Sequence, residues 1–127
     1  MGNKFNAKKV KIDEHIFDSK KEANRYLELK SLEARGKISN LELQKKYVLI
    51  PKQVLEYEEE DKKGRIKTKQ MTLFRETSYV CDFYYINEDG EEVVEDVKGL
   101  KIGAAWQVYT LKKKMLYEKY GILIKEI

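Results

Sequence analysis

The sequence predicts one mixed α/β domain, with two amphipathic helices bracketing a set of strands, and three observations carry that reading. Ser19 and Glu22 have capping-box spacing, and Ala23, Tyr26, Leu27 and Leu29 follow at helical intervals. Residues 77–86 form a β-branched and aromatic run, joined through the turn Asn87-Glu88-Asp89-Gly90 to a second run over 91–98. From Ala104, the residues Val108, Leu111 and Met115 recur at i, i+4, i+7 and i+11, the stripe of a second amphipathic helix. A chain of 127 residues holds a single core. Its 42% hydrophobic content and nine Tyr exclude intrinsic disorder even though 38% of the residues are charged.

The first helix should stop at Gly36, glycine being the favoured residue just past a helix end. Residues 41–50 read as the first strand, with Pro51 at its end, where a missing N–H does least harm. Between 52 and 76, Glu56, Glu58, Glu59, Glu60 and Asp61 are followed at once by Lys62, Lys63, Arg65, Lys67 and Lys69. A hairpin turning near 61–64 explains that order, because it sets an acidic arm against a basic one; a disordered charged loop is the alternative. As a hairpin it is expected to protrude, exposed and mobile. The hairpin over 77–98 follows, residues 99–103 form a loop, and Gly121 closes the second helix. Ile122, Leu123, Ile124 and Ile127 make a short apolar last strand. There is no internal repeat and no Gly-rich phosphate loop.

One cysteine, Cys81, excludes an intramolecular disulfide and Cys-based zinc sites, and one histidine, His15, excludes paired-His chemistry. Any metal must therefore be held by carboxylates. The apolar runs are short, and the basic start up to Lys11 is not followed by an apolar segment, so neither a membrane span nor an export signal is expected. A cytoplasmic location follows. The net charge is only +4, but it is unevenly placed. Lys4, Lys8, Lys9 and Lys11 have no acid among them, and from Lys98 onward seven Lys stand against Glu118 and Glu126. That distribution suggests a polyanionic partner, weighed against ordinary solvated helix faces.

The register of the 77–98 hairpin decides which side chains meet. With Glu88-Asp89-Gly90 as a three-residue loop and Gly90 left-handed, Asn87 faces Glu91 and Asp82 lies opposite Asp96. Period-two alternation then puts Asp96, Lys98 and Val94 on one face with Val80, Asp82, Tyr84 and Ile86. An even loop would oppose Asp82 to Glu95, which would share its face with Val93 and Val97 while Lys98 pointed away. The first register is preferred because it unites two acids and an amine. Two like charges opposed on neighbouring strands are destabilising, and burial raises a carboxyl pKa. A divalent cation removes that conflict, hard oxygen ligands suiting Mg2+ or Mn2+. Lys98 would sit near the attacking water and the phosphate, orienting the one and stabilising charge on the other. A plain ion pair between Lys98 and a neighbouring acid is the rival reading.

Asp82 and Asp96-Val97-Lys98, preceded by a helix bearing Glu22 and followed by a helix and strand, resemble the PD-(D/E)XK nuclease superfamily, whose core is αβββαβ. The wider pattern includes Asn6-Ala7-Lys8-Lys9, Phe17-Asp18-Ser19-Lys20-Lys21-Glu22-Ala23, Glu42-Leu43-Gln44 and Val94-Glu95-Asp96-Val97-Lys98-Gly99. It resembles a phage-associated family catalogued as a domain of unknown function. More distantly the chain is similar to archaeal-type Holliday-junction resolvases and to the nuclease subunit of heteromeric transposases. The resemblance implies a restriction-endonuclease-like core with a mixed central sheet flanked by helices, the charged hairpin being an addition. It implies that Asp82 and Asp96 bind metal, that Lys98 assists the nucleophile, and that Glu22 reaches the same site. It also implies a phage or prophage protein acting in a bacterial cell. One departure is Cys81, which stands where a proline commonly precedes the first acid.

The expected activity is a metal-dependent DNA endonuclease with water as nucleophile, branched or junction DNA following only by analogy with the resolvases. Cutting two strands symmetrically needs two sites, so a homodimer is expected. Glu22 has a competing role as a capping residue. Gln107 matches a place where some superfamily members keep a polar residue near the site. Lys8, Lys9, Lys101, Lys112 and Lys113 are candidates for DNA phosphates. Trp106 and most Tyr belong to the core, and Cys81, alternating away from the site, is a small core residue. The rival functions are an inactive nucleic-acid-binding module on the same scaffold and a subunit whose 52–76 hairpin docks a partner.

Overall fold

The computed structural model describes residues 8–98 and 101–127; the expectations placed on Lys4, Asn6, Ala7 and Gly99 lie outside them. The first helix, α1 (Lys20–Ala34), starts where Ser19 Oγ accepts the Glu22 N–H at 3.1 Å. It ends at Arg35, and Gly36 takes the left-handed turn that follows. Ala23, Tyr26 and Leu29 are buried, whereas Leu27, expected beside them, is exposed.

The central sheet has four strands in the order β10 (Lys125–Glu126), β9 (Glu92–Asp96), β8 (Phe83–Ile86) and β3 (Ser39–Leu43). It is mixed, because β10 runs parallel to β9 while the other neighbours are antiparallel. The β8–β9 hairpin adopts the three-residue loop. Phe83 opposes Glu95, Ile86 opposes Glu92, the Asn87 N–H reaches Glu91 O at 2.9 Å, and Gly90 is left-handed. Asn87 Oδ1 accepts the N–H of both Asp89 and Glu91, which is why this residue starts the turn.

The two helices cover opposite faces of the sheet. Phe83 and Tyr85 pack with Ala23, Tyr26, Leu29 and Phe17, while Tyr84 and Val94 pack with Tyr109, Leu116 and Ile124. The second helix, α2 (Gly103–Tyr120), turns inward a stripe that keeps only Met115 of the expected one. Val108 and Leu111 are 52% and 59% exposed, and Tyr109 and Leu116, at 8% and 0%, carry the contact. Two aliphatic residues one turn apart outweighed an aromatic in the sequence pattern, yet Tyr109 buries more area and has a partner for its hydroxyl. The apolar run 122–124 likewise precedes the last strand, and Ile124 alone of the three is buried.

The expected first strand and the expected 77–86 strand are each broken, at facing points. Residues 46–50 form β4 (Lys46–Ile50), paired with β7 (Thr77–Val80) in a separate two-stranded sheet. Between the two pairs, Gln44 N–H donates to Asp82 O at 3.2 Å and Cys81 N–H to Lys45 O at 3.1 Å. One antiparallel pair therefore runs through both sheets and bends between them, where Gln44 sits at φ +54°. The bend breaks the alternation expected across 80–86. Val80 is exposed, and Cys81 is buried on the Tyr84 and Val94 side, not away from it.

Strands β1 (Val10–Ile12) and β2 (His15–Phe17) make a hairpin before α1 that the sequence reading did not contain. Its turn residues Asp13 and Glu14 both have positive φ, a conformation usually signalled by Asn or Gly. Asp13 Oδ2 accepts the Tyr26 hydroxyl at 2.8 Å, which fastens the hairpin to α1. The charged segment forms the expected hairpin, β5 (Gln53–Glu60) with β6 (Ile66–Phe74). Glu59 opposes Lys67 and Tyr57 opposes Lys69, and every residue of both strands is exposed. No helix of the described residues is long and apolar enough to cross a membrane.

Candidate functional site

The bend presents Asp82 at the end of β8, beside the end of β9. Asp82 Oδ2 accepts the Val97 N–H at 2.6 Å, and its carboxyl group is hydrogen-bonded to Asp96. Asp96 is buried. Its Oδ1 lies 2.9 Å from Lys98 Nζ, and its Oδ2 accepts the Tyr79 hydroxyl at 2.5 Å. The Lys98 ammonium also stands 3.4 Å from the centre of the Tyr109 ring, a cation–π contact that fixes a flexible side chain. Tyr109 is itself anchored, its hydroxyl donating to Glu126 Oε2 at 2.6 Å. Strand β10 thus holds the Lys98 platform in place through Glu126, besides pairing with β9.

Glu22 comes to the same place from the first turn of α1. Its backbone serves the cap with Ser19, but its carboxylate meets the Asp18 N–H and the Asp82 side chain. Capping and site roles are therefore compatible, one using the N–H and the other the side chain. Burial pushes the Glu22 carboxyl up, the Asp18 N–H opposes the shift, and the charges of Asp18 and Asp96 add to it. Burial raises Asp82 well above the ordinary carboxylate range, reinforced by the Asp96 carboxyl beside it and by the Glu22 charge, with the Val97 N–H opposing. These shifts are the signature of like charges crowded out of water.

Solvent reaches the cluster from two sides. Glu22 and Asp82 open onto a recess lined by His15, Phe17 and Gln44, so the unexpected β1–β2 hairpin forms one wall. Asp96 and Lys98 open onto a second recess walled by Tyr79, Val108, Tyr109 and Lys112 of β7 and α2. Asp82, Asp96 and Lys98 do not share one flat face as alternation implied; Asp82 opens with Glu22 of α1 onto one recess and Asp96 with Lys98 onto the other.

Glu95 lies on the other face and is fully used. Arg25 Nε and Nη2 donate to its two oxygens at 2.7 and 2.6 Å, and the Tyr85 hydroxyl donates to Oε2. It is not available as a ligand in place of Asp96. Of the residues expected near DNA, Lys112 lines the second recess, while Gln107 is exposed outside it. Lys113 Nζ is 3.1 Å from Glu126 Oε2, an internal pair, and Lys101 lies 5.7 Å from the Trp106 ring centre. Lys8 and Lys9 are exposed ahead of β1. Tyr79 and Gln44 were missed as site residues, and the contact between Arg25 and Glu95 spans 70 positions, beyond any local signal.

Among the described residues, no set of three or more His, Cys, Asp or Glu side chains is arranged ready to hold a metal ion. Protein donors occupy the Asp96 oxygens. The donor chemistry nevertheless suits a hard divalent cation, since each carboxylate oxygen keeps a second lone pair and a positive charge would relieve the repulsion felt by Asp82 and Glu22.

Fold and site together define a mixed α/β protein whose half-buried acidic cluster and single lysine meet at a bent sheet end. Residues 2–126 match the family described as protein of unknown function (DUF1064), and the chain belongs to that family. No curated protein and no solved structure matches it.

Proposed function

We propose that this protein is a metal-dependent DNA endonuclease that hydrolyses phosphodiester bonds on a PD-(D/E)XK-like core. The observation that carries the reading is the meeting of Glu22, Asp82 and Asp96 with Lys98, whose Nζ is 2.9 Å from Asp96 Oδ1. The element order helix, strand, hairpin strands, helix, parallel last strand supports it as well. Asp82 and Asp96, with Glu22 supplementary, are the residues that would hold Mg2+ or Mn2+. Bound there, the ion supplies Lewis acidity at the phosphate and lowers the pKa of water.

The chain's own groups have separate tasks. Lys98, held against Asp96 and the Tyr109 ring, places one positive charge where negative charge grows on the phosphoryl oxygens. Tyr79 holds the Asp96 carboxylate at a fixed rotation. Lys112, on the wall of the Asp96 recess, and the exposed Lys8, Lys9 and Lys101 contact phosphates without reading sequence. Branched or junction DNA is the proposed substrate, and a homodimer supplies the second site for the second strand.

A second reading, a nucleic-acid-binding module without chemistry, draws on Asp96, whose two oxygens are already satisfied by Lys98 and Tyr79. Incubating the chain with linear, nicked, flapped and four-way DNA in Mg2+ or Mn2+ separates the two. Cleavage by the wild type, lost in Asp82→Ala, Asp96→Ala and Lys98→Ala, supports the nuclease. Binding without cutting by any form, on any substrate, assigns the module.

A further inference from the structure

Among the described residues, both strands of the β5–β6 hairpin are exposed along their whole length. Beyond their own pairing, its strands make no substantial contact with another element. An isolated two-stranded hairpin is marginal in water. On one of its faces Leu55, Tyr57, Met71 and Leu73 are 46%, 38%, 49% and 47% exposed, with Glu59, Lys67 and Lys69 toward the tip.

We propose that this face is a self-association surface whose partner is the same hairpin of a second copy. Its charge favours that occupant over a nucleic acid. Residues 53–74 hold five acids and five bases, so the hairpin has no net attraction for a polyanion. Instead the acids lie on or near β5 and the bases on or near β6. A twofold axis along the hairpin, between two stacked copies, lays each β5 over the partner's β6. Leu55 then covers Met71 of the partner subunit, Tyr57 covers the partner's Lys69, and Glu59 covers the partner's Lys67. Apolar meets apolar, a cation meets a ring, and opposite charges meet. Joining the two β5 edges instead would set one acid run against another.

Strands of eight and nine residues give a face about 30 Å long and about 10 Å wide. That footprint is well below the ~800 Å² per partner of a standard stable interface. The dimer is therefore reversible, concentration-dependent and weakened by salt.

Sedimentation equilibrium of the full chain tests this across a micromolar concentration range. The wild type is expected to move from 15.1 kDa toward twice that mass as concentration rises. Leu55→Lys with Met71→Lys, both at exposed positions, is expected to stay monomeric with an unchanged circular dichroism spectrum. Glu59→Lys alone, and Lys67→Glu with Lys69→Glu alone, are each expected to dimerise more weakly, and their mixture to recover the heterodimer. A wild type monomeric throughout, or a dimer that persists in Leu55→Lys with Met71→Lys, overturns the proposal. So does a monomer whose hairpin variants lose retention on immobilised DNA, which would assign the hairpin to nucleic acid. Mass is the readout, so failure of cleavage and failure of association are separately visible.

Discussion

Gln44 stands across from Asp82 where two paired strands bend, its N–H donating to the Asp82 carbonyl at 3.2 Å while its own backbone is left-handed at φ +54°. The bend turns the Asp82 side chain toward Asp96 and Glu22 and frees it from the strict alternation of a flat strand. Left-handed backbone is strained for any residue with a Cβ, and most for a β-branched one.

Gln44→Gly should therefore leave stability unchanged or slightly raised, and Gln44→Val should cost about 1–2 kcal/mol. Urea denaturation midpoints compare the two. Equal midpoints would mean that the bend does not depend on this residue.

The fold raises the Asp82 carboxyl from its ordinary 3.8 to about 8, burial being the first cause and Asp96 the second. A group raised in the folded state stabilises it most below its unfolded pKa, and that contribution is lost as pH rises through the folded one. The metal-free chain should lose stability steadily as pH climbs from about 4 to about 8. Saturating Mn2+ should flatten that slope, because a cation favours the ionised carboxylates. Thermal midpoints at several pH values, with chelator and with Mn2+, give the comparison; two identical slopes would count against a metal between these acids.

Asp82→Asn removes one of the crowded charges and keeps the shape. In chelator above neutral pH it should melt higher than the wild type, by about 4 °C for each kcal/mol of repulsion relieved. Cleavage should be lost in the same variant. Gain of stability with loss of activity is what a site strained for its chemistry produces.

Lys98→Ala should lower cleavage about 100- to 1000-fold, the usual result of deleting one transition-state donor. DNA affinity, read by fluorescence anisotropy in Ca2+, should change little. If binding falls in parallel with cutting, Lys98 acts on the substrate phosphate in general and not on the transition state.

Arg25→Leu strands a fully buried Glu95 without its two-pronged partner and should cost about 3–5 kcal/mol. Arg25→Lys should recover only part of that, since an ammonium lacks the planar fork. Glu95→Gln added to Arg25→Leu should soften the loss, measured by denaturant titration of all three variants.

Local signals in the sequence made part of this legible. Asn87 and Gly90 set the loop length, the loop length sets the register, and the register brings Asp82 opposite Asp96, two residues before Lys98. Ser19 and Gly36 bounded α1 in the same way. What stayed hidden lacked a local signal. Asp13 and Glu14 turn a hairpin without Asn or Gly, and Gln44 bends a strand without glycine or proline. Tyr79 and Arg25 act on residues 17 and 70 positions away. The inward stripe of α2 is masked in the sequence because Val108 and Leu111 look like core, yet Val108 faces the recess beside Asp96 and Lys98.

The two apolar clusters on either side of the sheet do not share a helix. Glu22 rides with one of them and the Lys98 platform with the other, so the acids occupy the seam where two helix layers meet through a single shared sheet. Phe83 and Tyr85 face α1 while Tyr84 and Val94 face α2 along the same two strands, so a shift of either helix on the sheet would change the gap between the carboxylates only by loosening that helix's own packing.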